Sequence, residues 1–431
     1  MAAELKSPTF GEALRVWIKI GLLSFGGPAG QIALMHRELV ENRGWLSERR
    51  FLHALNYCML LPGPEAQQLA IYTGWLLHKT RGGLVAGALF VLPGALLMFA
   101  ICWIYIVHGQ LPWIAAVFYG LKAAVMAIVA AAIIRIGRKI LTNLVMWGIA
   151  ALSFIGIFFL GLPFPLIVLS ALVMGWFGSK RYPEIFRASS SHGDLSVKDD
   201  EVTDLPPLPA FRQMMGKAAM WIGIWWLPVV ACLALLGPQH VFTQQGAFFS
   251  KAALVTFGGA YAVLPYVGQQ AVETHGWLSA TQMMDGLGLA ETTPGPLILV
   301  LQFVGFLGGW NAPGALSPIG SAAIASFLTV WSTFIPGYLF IFLGAPYIER
   351  TRGHLRLNSA LTAVTAAVCG VILNLAVWFG IHLVRPEEGE FDVIPLALAV
   401  AFLILLQKVK VGVPVIICLG AATGLLLGWI R

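Results

Sequence analysis

The segment KIGLLSFGGPAGQIALMHRELVENRGWLS (19–47) returns 232 positions later as KAALVTFGGAYAVLPYVGQQAVETHGWLS (251–279). Under that single shift Phe10 falls on Phe242, Lys19 on Lys251, and Phe25-Gly26-Gly27 on Phe257-Gly258-Gly259. Glu41 falls on Glu273, Gly44-Trp45-Leu46-Ser47 on Gly276-Trp277-Leu278-Ser279, and Pro62-Gly63-Pro64 on Pro294-Gly295-Pro296, all without a gap. After a gap, LPGALLMF (92–99) is similar to IPGYLFIF (335–342). Chance does not hold register from Phe10 to Pro64, so the chain is two homologous halves.

The medium follows from composition. Of 431 residues, 58% are hydrophobic and 11% charged, with a mean hydropathy of +0.81; a soluble domain carries about 25% charged residues. Apolar runs recur from end to end, and only helices satisfy their own backbone in lipid over so many segments. The expected fold is therefore an all-α polytopic membrane protein. No A-x-A-type site follows a short apolar stretch near Met1, so no cleaved signal peptide is expected. The net charge of +7 reads as Lys and Arg in cytoplasmic loops, not as a nucleic-acid footprint. Cys58, Cys102, Cys232, Cys369 and Cys418 lie in apolar segments without a C-x-x-C pair, which predicts core thiols and neither disulfides nor a metal site. P-loop, GxSxG and HExxH patterns are absent, so no cofactor is expected and ATP hydrolysis and the commonest hydrolase chemistries are disfavoured.

Four segments follow: a first repeat over 1–178, a polar Ser- and Pro-containing cytoplasmic linker over 179–216, an extra apolar crossing over 217–241, and a second repeat over 242–431. Six apolar segments precede the linker, at roughly 10–35, 52–78, 83–107, 111–134, 143–160 and 163–178. An even half plus one crossing turns the second half over, which predicts inverted-topology repeats. Pro-Gly-Pro breaks 52–78 and FGGPAG breaks 10–35, because proline removes a donor and clashes with the preceding turn. Basic HRELVENRGWLSERR (36–50) and HKTRG (78–82) then share one face if these segments are broken and re-entrant. On that reading ERTRGHLR (349–356), Lys408 and Lys410 fall inside, and PEEGEFD (386–392) falls outside. The alternative is thirteen full crossings with one misplaced basic loop.

Broken helices at membrane depth are tolerated where they line a polar cavity. Each break starts a helix whose free N–H groups and positive dipole end suit an anion. The candidate substrate-binding set is accordingly Lys19, Ser24, Phe25, Gly26, Gly27, Pro28, Gln31, Pro62, Gly63, Pro64, Glu65 and Gln68 from the first half. From the second it is Lys251, Thr256, Phe257, Gly258, Gly259, Glu291, Thr292, Thr293, Pro294, Gly295 and Pro296. The paired lysines are read as cavity-facing, with snorkelling to the interface as the bland alternative. Glu65 either caps its helix or carries a proton against the anion, a role open to Glu291 as well. Gly83 and Gly87 form a G-x-x-x-G read as a helix contact, and the fifteen tryptophans read mainly as interfacial belts.

SFGGPAGQIALMH, LLPGPEAQQLAIYTGW, VTFGGAYAVLPYVGQQAVE and GLAETTPGPLILVLQFVGF together resemble the CHR-type chromate ion transporter family in its long, two-domain form. The resemblance covers nearly all of the chain outside the linker. It implies export of chromate across a bacterial inner membrane, giving chromate resistance, with sulfate as a competitor, the lipid bilayer as medium and a homodimer allowed. Its motif positions are Phe25 to Pro28, Pro62 to Pro64, Phe257 to Gly259 and Pro294 to Pro296; the halves depart at Ala260 and Leu297, where the first has Pro28 and Glu65. A transporter of sulfate or another oxyanion is the nearest rival. A membrane enzyme acting on lipid phosphates and a non-transporting scaffold are more distant ones.

Overall fold

The computed structural model describes residues 8–25, 27–109, 111–182, 184–186, 210–257, 259–348, 355–385 and 391–430, with backbone alone for 355–359. Gly26, Gly258, most of the linker (187–209) and residues 349–354 and 386–390, which carry the charged stretches read above, lie outside the described residues. Every regular element among the described residues is helical. The first repeat contributes α1 (Phe10–Leu23), α2 (Gly27–His36), α3 (Glu48–Cys58), α4 (Glu65–His108), α5 (Pro112–Ile140), α6 (Leu144–Phe158) and α7 (Phe164–Arg181). After α8 (Phe211–Leu236) the second contributes α9 (Val241–Val255), α10 (Ala260–Gln269), α11 (Ala280–Thr292) and α12 (Val300–Asn311), then α13 (Pro318–Ile348), α14 (Leu355–Val384), α15 (Ile394–Ile404) and α16 (Val413–Ile430). Among the described residues, six helices are long and apolar enough to cross a membrane: α4, α5, α8, α13, α14 and α16.

The repeated Gly-Trp-Leu-Ser is a turn followed by a cap. Gly44 and Gly276 hold φ of 61° and 58°, a left-handed conformation that glycine adopts without strain. Trp45 N–H then donates to Leu39 O (2.9 Å) and Trp277 N–H to Ala271 O (2.8 Å). Ser47 and Ser279 accept from the backbone of Arg50 and Gln282, starting α3 and α11.

Each repeated motif is the tip of a helical hairpin. A continuous helix would separate Phe248 from Tyr266 by about 27 Å, yet their rings lie 5.3 Å apart across the Phe-Gly-Gly break. Lys19 meets Glu38 at 2.8 Å across the equivalent break. Tyr57 and Tyr72 lie 5.9 Å apart across Pro62-Gly63-Pro64, and Gly286 packs directly on Phe303 across Pro294-Gly295-Pro296. α4 also doubles back. His78 and Lys79 leave the helical region (φ −135°, ψ 29° and φ 53°, ψ −146°), and its arms, 65–77 and 80–108, touch through Gly74 and Gly82. Gly83 and Gly87 pack against Phe342 and Tyr338 of α13, the helix contact expected of them.

α13 reads out the relative orientation of the halves. Its start lies against the base of the α11–α12 hairpin, where Gly309 abuts Ser321 O. Its middle accepts a hydrogen bond from Gln67 Nε2 at Phe334 O (3.3 Å), and its far end accepts one from Tyr57 Oη at Phe340 O (3.0 Å). The second arm of α4 runs the other way, from Gly82 past Pro294 at Gly94 to Tyr105 beside Phe303. The two sets of hairpins therefore enter from opposite ends and meet tip to tip, which is the inverted arrangement.

The thiols depart from expectation in one respect. Cys58, Cys102 and Cys369 are buried, but Cys232 is half-buried and Cys418 is exposed. An outward apolar face is ordinary for a helix such as α16 in lipid, so an apolar run does not by itself place a thiol in a core.

Candidate functional site

The tips are completed across the repeats. Gly63 N–H donates to Thr256 O, and Gly295 N–H donates to Ser24 O, both at 2.8 Å. These are the same bond related by the 232-residue shift. The same two residues close their own helices: Ser24 Oγ donates to Ile20 O (2.5 Å) and Thr256 Oγ1 to Ala252 O (2.6 Å), which satisfies one carbonyl in the last turn of each of α1 and α9. Gly63 and Gly295 hold φ of 112° and 99°, Gly27 and Gly259 hold 71° and 97°, so all four turns use backbone that side chains rarely adopt. The Pro-Gly pairs of the long helices make room. Gly94 lies against Pro294 and Gly295, and Gly337 against Gln67 and Gln68.

Three helix starts converge here without a side-chain cap: α4 after Pro64, α10 after Gly259, and the short 3-10 turn Leu297–Leu299 after Pro296. Such starts carry partial positive charge and free N–H groups. Pro28 sits in the first turn of α2, where its missing N–H removes no bond. Glu65, the first residue of α4, reaches over to the start of α10: its Oε1 lies 3.2 Å from where a Cβ on Gly259 would stand. One carboxylate thus occupies ground where two helix starts favour negative charge. Glu291 accepts a short hydrogen bond from Tyr261 Oη.

The remaining candidates divide clearly. Gln31 is fully buried, and its Nε2 donates to Gly295 O (2.6 Å); buried Gln68 donates to Pro62 O (2.7 Å). Both side-chain oxygens are left without a partner, and both positions are valine in the second half (Val263 and Val300). Thr292 and Thr293 bond back to Leu289 O and Ala290 O. Phe25 is 46% exposed, whereas Phe257 packs partly into the core. The lysines are not brought to the tips. Lys19 pairs with Glu38, which Arg43 also holds, near the hairpin base. Burial alone would raise the Glu38 carboxyl, but the Lys19 hydrogen bond and the Arg43 charge outweigh it and hold it below its usual range. Lys19 and Lys251 are both exposed, and the counterpart of Glu38 is Gln270, so the ion pair of the first half has no equivalent carboxylate in the second.

Sequence reasoning missed a second polar cluster. Tyr105 Oη donates to Asp285 Oδ2 (2.9 Å), and Lys122 Nζ stands 3.6 Å from Asp285 Oδ1. Tyr105 and Lys122 belong to the first repeat and Asp285 to the second. Lys122 also lines a cavity of about 80 Å³ with Tyr119, Thr281, His382 and Asp392. A charge inside an apolar run is the signal that flags both partners, Lys122 in YGLKAAV and Asp285 in QMMDGLGLA.

A family profile described as Chromate transporter matches residues 11–176 and 243–425, leaving α8 between its two copies. The chromate transport protein of Cupriavidus metallidurans is 30% identical over 419 residues, 97% of this chain and 93% of that protein. That of Pseudomonas aeruginosa is 34% identical over 366 residues, 83% of this chain and 77% of that protein. A probable chromate transport protein of Synechococcus elongatus is 30% identical over 370 residues, 86% and 84% of the two chains. No solved structure matches the chain.

Proposed function

Because the chain belongs to the chromate transporter family, we propose that it carries chromate out of the cytoplasm across a bacterial inner membrane, by alternating access at the hairpin tips. The observation that carries this reading is the meeting of three uncapped helix starts from both inverted repeats at one mutually bonded junction. A compact dianion suits such a junction, since free backbone N–H groups and dipole ends bind tetrahedral oxyanions without needing a lysine. The glycines at the turns let backbone approach the ion closely. Gln31 and Gln68 brace the turns rather than the ion, by bonding their carbonyls.

Glu65 sets the coupling in this scheme. Its carboxylate fills the anion's ground when the site is empty, and must swing away or take up a proton when chromate enters. Export of a dianion is assisted by an interior-negative potential at about 2.3 kcal/mol per charge per 100 mV. Arg43, Arg49, Arg50, Lys79 and Arg81 mark the end at which the first hairpins are rooted, Lys180, Arg181 and Arg212 lie near the two ends of the linker, and Lys217 follows it directly. That bias favours placing this end and the linker 179–216 in the cytoplasm, with repeats over 1–178 and 242–431.

Everted vesicles test the reading directly. Radiochromate uptake should rise with an imposed potential and fall with excess sulfate, while Lys19→Ala and Lys251→Ala should retain most of the flux. Uptake unchanged when potential and pH gradient are each collapsed would refute both modes of coupling.

A further inference from the structure

Among the described residues, α8 is the long helix that lies between the two matched repeats, and it packs against α13 and α9. Between it, α4 and α13 lies a cavity of about 520 Å³. Its walls are Trp75 and Leu84 of α4, Trp221 and Ile224 of α8, and Trp331 and Phe342 of α13. The polar handles of the facing indoles are used elsewhere: Trp331 Nε1 donates to Ile224 O (3.0 Å), and neighbouring Trp225 Nε1 donates to Ser332 O (3.1 Å). Trp221 stacks on Tyr338 with ring centroids 5.6 Å apart. Water entering this space would find few partners, and an apolar void of such size is filled by apolar groups. The mouth faces outward, with Leu84 and Met220 39% and 51% exposed.

Charge is confined to one end. Lys217 and Thr80 line the rim, and Lys79 Nζ stands 5.2 Å from the Trp75 ring centroid. This is the basic end of the bundle, beside Arg81 and the start of α8. Basic pockets between helices at such a level recognise anionic lipid head groups, and cavities of a few hundred Å³ enclose ligands of acyl-chain size.

We propose that this groove holds one anionic phospholipid, an acyl chain between Trp221, Trp331 and Phe342 and its phosphate against Lys217 and Lys79. The lipid would tie α8 to both repeats, and its binding does not depend on what the hairpin tips carry.

The test uses the purified full-length protein, stripped of lipid in detergent and titrated with phosphatidylglycerol or phosphatidylcholine, read by native mass spectrometry. One phosphatidylglycerol should be retained in preference to phosphatidylcholine. The double variant Lys79→Gln, Lys217→Gln should lose that preference at least tenfold, and Ile224→Trp, which fills the groove, should retain neither lipid. The lysine variant changes only the rim, so a native elution profile keeps the test valid if Ile224→Trp misfolds. Equal retention of both lipids by the unaltered protein, or undiminished phosphatidylglycerol retention in the lysine variant, overturns the proposal.

Discussion

Gly259 and Gly27 occupy equivalent turns with φ of 97° and 71°, but only Gly259 has a carboxylate 3.2 Å from the place of a methyl group. Alanine at either position meets backbone strain of roughly 1–3 kcal/mol. Gly259→Ala should in addition displace Glu65 and abolish transport, whereas Gly27→Ala, with open space around it, should lower the thermal midpoint and leave measurable flux in vesicles. Glu38 gives a pH-linked prediction. Its folded pKa is depressed, so the stability it contributes is present above the unfolded carboxyl pKa and is lost as pH falls through the folded value. Glu38→Gln should cost about 1–3 kcal/mol near neutrality and flatten the acid limb of a thermal-midpoint series. At this scale the sequence is a partial guide. It pairs Lys19 with Lys251 through the repeat, but the carboxylate that engages Lys19 has glutamine as its counterpart, and a symmetry argument is blind to a partner present on one side alone.

α5 and α11 show how an element joins the halves. Lys122 and Asp285 pair across them, with Tyr105 of α4 as a third member. Removing one charge strands the other at membrane depth, so Asp285→Asn or Lys122→Met should each destabilise by about 1–3 kcal/mol. The double variant Lys122→Met, Asp285→Leu should recover much of that loss, because a matched apolar pair avoids desolvation altogether; thermal unfolding in detergent reads both. Among elements, the hairpins were legible in advance. Proline and glycine at Pro62 to Pro64 and Pro294 to Pro296 forbid a continuous helix, and the basic residues flanking 52–78 favour a chain that turns back. The reversal inside α4 is half legible: HKTRG predicts a loop, but nothing in it announces the contact of Gly74 on Gly82. Asp285 sits in an apolar run whose charge alone marks it; its partner lies 163 positions upstream, and no periodicity reports that distance.

The molecule as a whole is two copies rooted at opposite ends, a relation that parity and the extra helix α8 predict from sequence and that α13 displays in the fold. Single cysteines replacing Arg50 and Glu273, in a background without the native thiols, should therefore react with a membrane-impermeant reagent from opposite sides of sealed vesicles. Reaction of both from one side would remove the inverted arrangement. The crossed tip bonds also bear on biosynthesis. The acceptor for Gly63 N–H is Thr256 O, 193 residues further along the chain. At about 5–20 residues per second a ribosome needs roughly 10–40 s to reach it. Throughout that interval the newborn leading half holds an unfinished apex, so a chaperone or insertase guarding it has to outlast the synthesis of everything between.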